Sequence, residues 1–339
     1  MVTVLAETTR GGVRESIHHG VVVAANTRGE VVAAAGDPDW FAFYRSSAKP
    51  FQAVPLIESG AADAFGITPA ELALSCASHN AEYRHQMQVL AYLAKLDLGE
   101  GALQCGAPLP SDPSEHSKVI LGERPRSPLQ CDCSGKHTGM LAACKALGLP
   151  LDSYLQPTHP LQVMITEIVA RVCRVRPDEF VMATDGCSLP TFGTTVGNFA
   201  RSWAALAAPE RTPDEFGGRH AAALTRLRSA MIAHPENVAG ENELVTNVMR
   251  IGGGAWACKS GAEGLFCFAG IEAGIGLAIR VADGSFRSHA VILCSALRQL
   301  GLATAEQTDA ILALHSPEIR NHNKILVGGH RAVFELARA

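Results

Sequence analysis

The feature that most constrains the fold is the segregation of strand-like and helix-like segments along the chain. Residues 19–37 contain two runs rich in β-branched residues, split by Asn-Thr-Arg-Gly, a pattern typical of a hairpin. Strand-like character returns in residues 259–285, whereas the intervening segments have the apolar spacing and the Gly or Pro stops of helices. The sequence therefore predicts an α+β protein, with one antiparallel sheet built from both chain ends and an inserted helical region.

The same patterns give approximate boundaries. We expect strands from about residues 10–45 and 255–335 to form the sheet, and residues from about 46 to 250 to be largely helical. A chain of 339 residues can form one large domain or two smaller ones. Because no internal repeat, low-complexity tract or long linker interrupts the chain, we predict a single unit spanning residues 1–339.

Composition and charge argue against several classes of protein. The net charge is −4, and no basic stripe or basic amphipathic helix suggests a nucleic acid or membrane partner. The longest apolar stretch, residues 264–279, contains Glu272 and four glycines, which is not typical of a membrane span. The first residues lack the pattern of a signal peptide. With ten cysteines, we therefore expect a cytoplasmic protein that holds thiols or metal ligands and no disulfide framework.

A serine precedes a lysine by three residues at the start of the helical region. On a helix, Ser46 and Lys49 would share a face and could touch. A serine hydroxyl is a weak nucleophile and needs a base beside it, which a neutral lysine can provide. The alternative is that Ser46 caps a helix and that Lys49 is solvated in the first turn.

Two further motifs follow in a defined order. Ser-x-x-Lys begins at Ser46, Ser-x-Asn begins at Ser78, and Lys-Ser-Gly begins at Lys259. They fall at a predicted helix start, in a loop and on a strand, respectively. This order resembles that of serine β-lactamases, penicillin-binding enzymes and serine-dependent glutaminases. The resemblance implies a serine β-lactamase or penicillin-binding-protein-like fold.

The chemistry of such a site depends on the lysines. A lysine has a pKa of ~10.4 in water and cannot accept a proton at neutral pH. If Lys49 and Lys259 converge, each lowers the pKa of the other, so that one could take the proton of Ser46. The other could hold a substrate carboxylate or relay protons through Ser78. By analogy with the superfamily, the oxyanion would be bound by the backbone N–H groups of Ser46 and Ala262.

Two segments, residues 129–148 and 183–193, gather thiols with other polar groups. Thiolate, imidazole and carboxylate are zinc-ligand types. However, no Cys-x-x-Cys occurs, and Cys131-x-Cys133 is not a standard zinc spacing. Spacing alone therefore favours buried thiols that pack as small hydrophobic groups. The candidates in these segments are Cys131, Cys133, Lys136, His137, Asp185 and Cys187.

A closer resemblance is carried by six segments that span nearly the whole chain. They are RSSAKPFQ (45–52), CASHNAE (76–82), CSGKHTGML (133–141), TDGCSLPTF (184–192), HPENVAG (234–240) and KSGAEG (259–264). In this order they resemble the Rhizobium-type, or class 3, L-asparaginases. The resemblance implies a single catalytic unit with a β-lactamase-like fold. It also implies a homodimer that hydrolyses L-asparagine to L-aspartate and ammonia.

The resemblance also implies roles for individual residues. Two serine–lysine pairs would act in catalysis, Ser46 with Lys49 and Ser78 with Lys259. A zinc ion would lie next to them. Its ligands would be Cys133, Lys136 and Cys187. The implied substrate contacts are Arg45, His137, Asp185 and the N–H of Ala262.

Two other functions stay open at this stage. The first is a glutaminase or another serine amidase of the same fold, because one extra methylene in a substrate changes binding by only ~1–3 kcal/mol. The second is a zinc-containing binding protein without catalysis, since a fold does not guarantee an activity. Two serine–lysine pairs favour an enzyme, because a binding protein has no need of them.

Overall fold

The computed structural model describes residues 1–338 as two compact units. The first, called the sheet unit, comprises residues 1–47, 194–213 and 247–338; the second, called the helical unit, comprises residues 48–193 and 214–246. The strands are β1 (Thr3–Arg10), β2 (Val13–Asn26), β3 (Val31–Ala35), β4 (Phe41–Phe43), β5 (Val181–Thr184), β6 (Pro190–Thr195), β7 (Trp256–Ser260), β8 (Leu265–Gly270), β9 (Ile275–Val281), β10 (Glu318–Arg320), β11 (Leu326–Ala332) and β12 (Ala337–Arg338). The helices are α1 (Lys49–Gln52), α2 (Val54–Glu58), α3 (Ala61–Ala64), α4 (Pro69–Ser75), α5 (Tyr83–Lys95), α6 (Pro113–Ile120), α7 (Ser134–Leu147), α8 (Pro160–Cys173), α9 (Val196–Ala207), α10 (Ala221–Ala233), α11 (Pro235–Val238), α12 (Leu244–Ile251), α13 (His289–Gln299) and α14 (Ala305–Leu314). Within residues 1–338, none of these helices has the length and apolar character needed to cross a lipid bilayer.

The main sheet is assembled from both ends of the chain. Seven of its nine strands follow the order β10-β11-β1-β2-β9-β8-β7, while β3 pairs with both β2 and β12. These neighbours run antiparallel. The predicted α+β class, with an antiparallel sheet from both ends and a helical region between them, is therefore confirmed.

Two boundaries differ from the sequence-based expectation. The sheet begins at Thr3, ahead of the stretch predicted from about residue 10, and the strands β5 and β6 pair within the predicted helical region. Strand β1 is hard to recognise because its buried centre includes a carboxylate. Glu7 is 1% exposed and forms ion pairs with Arg14 and Arg331. These partners come from other strands, so the sequence of β1 alone does not show why Glu7 can be buried.

Helix α9 covers the middle of the main sheet. It packs against β9, β2 and β8 within the sheet unit. The approach is closest at Gly276 on β9, where a side chain would meet the helix backbone. A Cβ atom placed there would lie 2.1 Å from the Ala200 carbonyl oxygen and 2.1 Å from the Ala204 nitrogen. The absence of a side chain at Gly276 therefore sets the distance between helix and sheet.

We predict that Gly276→Ala lowers stability by at least about 1–3 kcal/mol, because the clash is with backbone that cannot rotate away. Thermal unfolding followed by circular dichroism would measure the change. The matched control is Gly99→Ala, because a Cβ atom at Gly99 meets nothing within 4 Å. An unfolding temperature of Gly276→Ala equal to that of Gly99→Ala would contradict the close packing of α9 on β9.

Helix α7 is the centre of the helical unit. It packs against α2, α3, α4, α5 and α8, and its residues from Ser134 to Cys144 are all buried. Gly135 allows a close approach to α4, because a Cβ atom there would lie 2.4 Å from the Leu74 carbonyl oxygen. This packing places the start of α7 beside the loop that follows α4. The two segments carry Cys133 and Ser78, respectively.

Candidate active site

Ser46 lies on a 3-10 helix, Arg45–Ala48, that follows β4 in the chain. The residue before it, Arg45, has a φ of 47°, which non-glycine residues rarely adopt. Such a conformation costs of order 1–3 kcal/mol and persists only where the surrounding structure fixes it, often at functional sites. The neighbouring Ser47 donates its hydroxyl to the Lys259 carbonyl oxygen at 3.2 Å. Ser46 itself is half-buried.

Lys259 lies near the end of β7, with its side chain fully buried. Its Nζ donates to the Ser260 carbonyl oxygen at 2.9 Å. The chain then turns tightly, with the Gly261 N–H donating to the Leu265 carbonyl at 2.7 Å. Glu263 in this turn has a φ of 58°. The Lys-Ser-Gly motif therefore lies at the end of β7, whereas the sequence predicted that it begins a strand.

Lys49 begins α1 in the helical unit, and its side chain is also fully buried. Its Nζ lies 2.7 Å from the Ser78 Oγ and 2.5 Å from the Ala77 carbonyl oxygen. The sequence analysis paired Lys49 with Ser46 and Ser78 with Lys259, whereas the bond in the structure joins Lys49 to Ser78. A buried amine with two acceptors is well placed to exchange a proton with a hydroxyl.

Asp132 is a residue of this site that the sequence analysis missed. Its Oδ2 lies 3.5 Å from the Lys49 Nζ, and the Sγ atoms of Cys131 and Cys133 lie 3.8 and 3.6 Å from its Oδ1 and Oδ2, respectively. Burial opposes a charge on Lys49, but the attraction of Cys133 and Asp132 outweighs it, so the pKa of Lys49 is raised. Lys49 is therefore held as an ammonium that donates to Ser78. The sequence contains a signal for Asp132, because it is an acidic residue between Cys131 and Cys133 in the segment 129–148, which was already a candidate.

A cluster of thiols and a lysine lies at the start of α7. Lys136 donates its Nζ to the Cys187 Sγ at 3.2 Å, and both groups are buried. Hydrogen bonds from Cys131 and Cys187, together with the positive charges of Lys136 and Lys49, hold the pKa of Cys133 well below its usual range. Burial opposes a charge on Lys136, but Cys133 and Cys187 raise its pKa. The cluster is thus a thiolate held among cations.

The donor set of this cluster fits zinc. Zinc is bound in proteins by thiolate sulfur and by nitrogen. The predicted ligands Cys133, Lys136 and Cys187 are neighbours in the helical unit. The ligand atoms of Cys131, Asp132 and Cys133 also lie within 4.8 Å of one another. The residues present can therefore hold a zinc ion.

His137 and Asp185 flank this cluster. His137 is fully buried, and its Nδ1 lies 2.7 Å from the Tyr154 hydroxyl. Its Nε2 has no hydrogen-bond partner among the described residues. Burial, with the positive charge of Lys136, lowers the pKa of His137 to about 3. A buried neutral nitrogen without a partner is typical of a ligand contact, while Asp185 is close enough to raise the pKa of Lys136.

The predicted site residues form two sets. In the helical unit, the structure gathers the thiol and lysine cluster with the Lys49–Ser78 bond. The residues of that set are Lys49, Ser78, Cys133, Lys136, His137, Asp185 and Cys187. The remaining predicted residues belong to the sheet unit. They are Arg45, Ser46, Lys259 and Ala262.

Two histidines stack next to Ser78. The rings of His79 and His85 are 4.9 Å apart and nearly parallel. Burial holds the pKa of His79 well below its usual range and lowers the pKa of His85 to about 4. The His85 Nε2 lies 2.9 Å from the Glu236 carbonyl oxygen, and the His79 Nε2 lies 2.9 Å from the Ser134 Oγ. Both rings are therefore neutral supports of the loop that carries Ser78.

We predict that acid destabilises the protein through these rings. An unfolded histidine binds a proton near pH 6.5, whereas folded His85 resists it down to about pH 4. The stabilisation that depends on neutral His85 is therefore fully present above pH 6.5. It is lost as the pH falls from 6.5 to 4, and the free energy of unfolding drops by about 3 kcal/mol at most for one such histidine. Urea unfolding midpoints at pH 7 and pH 5 would show the loss. His85→Gln should reduce it, while the exposed His322→Gln should not. An equal loss in both variants would contradict the role of His85.

A family model described as L-asparaginase II matches residues 6–332. The chain belongs to the L-asparaginase II family, which confirms the resemblance carried by its sequence segments. Membership supports an asparaginase-type amidohydrolase that acts on a small-molecule amide.

Solved structures and curated sequences give different results. Among solved structures, the chain is similar to a β-lactamase from Mycobacterium bovis, with 13% identity and a TM-score of 0.36. The match covers 88% of this chain and 95% of that chain. In a comparison with curated protein sequences, nothing matched the chain significantly.

Proposed function

We propose that the protein is an L-asparaginase that hydrolyses L-asparagine to L-aspartate and ammonia through an acyl-enzyme on Ser46. The observation that carries this proposal is the hydrogen bond of 2.7 Å between the buried Lys49 amine and the Ser78 hydroxyl, in a chain of the L-asparaginase II family. A fully buried lysine is a costly feature for a protein that only binds a ligand. Bonded to a serine, it is suited to moving protons.

In this mechanism, Lys49 first releases to solvent the proton that it holds in the resting structure. The Ser46 Oγ then attacks the side-chain amide carbon of asparagine while the neutral Lys49 takes the hydroxyl proton. The C–N bond then breaks. Ser78 accepts a proton from Lys49 and gives its own to the leaving nitrogen, which departs as ammonia. Water hydrolyses the β-aspartyl ester by the same proton path in reverse. Lys259 would assist Ser78, and the N–H groups of Ser46 and Ala262 would stabilise the oxyanion.

Substrate recognition would come from the remaining predicted residues. The α-ammonium of asparagine would meet Asp185, and its α-carboxylate would meet Arg45. His137 would offer its unpaired Nε2 to the ligand. These contacts would bind the ends of the amino acid and leave the amide free to react.

Zinc would be held by Cys133, Lys136 and Cys187. A bound zinc ion would offset the thiolate charge that raises the pKa of Lys49, and would so favour a neutral, basic lysine. The homodimer and the cytoplasmic location stay predictions from the resemblance and from composition.

We predict that Ser46→Ala reduces ammonia release from L-asparagine by at least about 10³-fold, because the nucleophile is lost. The control is Ser229→Ala, a serine exposed on α10. Circular dichroism should show that both variants fold. Release by Ser46→Ala at the wild-type rate would refute the acyl-enzyme.

The same assay with L-glutamine decides the substrate. A pocket shaped for asparagine should disfavour the longer side chain by roughly 10- to 200-fold in kcat/KM, the value of one methylene. A faster reaction with glutamine would make the protein a glutaminase. If neither substrate releases ammonia from folded wild type, the non-catalytic zinc-containing binding protein becomes the better assignment.

We predict that Cys187→Ala removes most of the bound zinc, whereas wild type holds roughly one zinc per chain. The matched control is Cys144→Ala. It also removes a buried thiol, but one that lies on α7 and is not part of the cluster. Atomic emission on dialysed protein would measure the metal content. Equal zinc in Cys187→Ala and wild type would show that this thiol is not a ligand.

A further inference from the structure

The helical unit has a cavity of about 340 Å³ that opens to solvent, which we call the arginine cavity. It lies where the end of α2, one face of α8 and the 3-10 turn Gly218–His220 meet. Its volume is within the range of about 300–1,000 Å³ that is typical of small-molecule sites. Its polar lining is formed by Glu58, Glu167, Arg171, Arg219 and His220.

Part of this lining is already paired. The His220 Nδ1 lies 2.6 Å from the Glu58 Oε1, and the His220 ring is largely buried. This contact occupies one oxygen of Glu58 and forms one wall of the cavity. The other three charged groups of the lining are Glu167, Arg171 and Arg219.

Those three groups make few contacts within the protein: Glu167 and Arg219 are exposed to solvent at the rim of the cavity, and Arg171 is half-buried. Glu167 and Arg171 are four residues apart on α8, a spacing at which opposite charges usually pair. In the described chain they form no ion pair, and Arg171 makes one long hydrogen bond, of 3.5 Å, to the Glu215 carbonyl. The exposed side chain of Arg219 has no hydrogen bond or ion pair within residues 1–338. Two guanidinium groups and one carboxylate thus line the cavity, and most of their hydrogen-bonding atoms remain available to a ligand.

The charges define the ligand. Each guanidinium can hold a carboxylate through two parallel hydrogen bonds, and the carboxylate can accept an ammonium. A matching ligand therefore carries two carboxylates and one ammonium. We propose that the arginine cavity binds an acidic amino acid, with its carboxylates on Arg171 and Arg219 and its ammonium on Glu167.

This ligand class separates product from substrate. L-aspartate carries both carboxylates, whereas L-asparagine lacks one and would leave a guanidinium without a partner. The cavity is thus a product-binding site of this enzyme, a role that rests on the proposed function. The ligand class itself follows from the cavity alone.

Isothermal titration of the full chain with L-aspartate tests the proposal. If both sites exist, wild type binds two molecules per chain and Arg219→Gln binds one, or binds the second about 10- to 100-fold more weakly. Arg176→Gln is the matched control, because Arg176 is an exposed arginine whose ionic partners, Asp178 and Glu179, lie outside the cavity. It should bind as wild type does.

The outcomes distinguish this proposal from the proposed function. One molecule bound by wild type and none by Arg219→Gln would support the cavity and count against product binding at the catalytic site. Equal binding by Arg219→Gln and wild type would overturn the cavity proposal. Thermal unfolding of each variant confirms that the loss is not a loss of fold.

The ligand class is tested at the same site with three other probes. L-asparagine, succinate and sulfate should each bind at least about tenfold more weakly than L-aspartate, because each lacks one of the three charges or their spacing. Glu167→Gln should abolish the preference for L-aspartate over succinate. Sulfate binding as tight as that of L-aspartate would show a simple anion site and overturn the acidic amino acid class.

Discussion

The buried amine of Lys49 is the interaction on which the candidate site depends. A fully buried ammonium is stable only if hydrogen bonds and negative charge replace the water that it loses. The Ala77 carbonyl, the Ser78 hydroxyl and Asp132 provide these, and the Cys133 thiolate adds to the field. The loop after α4 and the segment before α7 must therefore meet at Lys49. Removal of any one partner would leave the buried charge less well compensated.

The packing of α7 on α4 brings these partners together. Gly135 allows the two helices to approach at the Leu74 carbonyl, so the residues that precede α7 lie beside those that follow α4. Lys136 and His137 then project from the first turn of α7. One helix contact thus positions the proton-transfer pair, the thiol cluster and the neutral imidazole together. A small shift of α7 would disturb all of them, which links core packing to chemistry in this unit.

The same unit holds charges of both signs in two different ways. Around Lys49 and Cys133 they are buried and compensate each other, which fixes protonation states. At the arginine cavity, the exposed side chains of Glu167 and Arg219 have no ion-pair partner within residues 1–338. Charges paired internally stabilise a structure, whereas unpaired charges around a cavity of ligand size are free to recognise a partner. The two clusters therefore suit different tasks, a reaction in one and recognition in the other.

The sequence by itself determined the α+β class and the order of the motifs, because strand and helix periodicity and the turn residues are local properties of the chain. It also assigned the family, whose six segments are recognisable without any contact. Only the tertiary structure showed the bond of Lys49 to Ser78, the role of Asp132 and the burial of Glu7 between Arg14 and Arg331. These features join residues that are distant in the sequence. Their energies depend on burial and on the distances between charges, which no local pattern encodes.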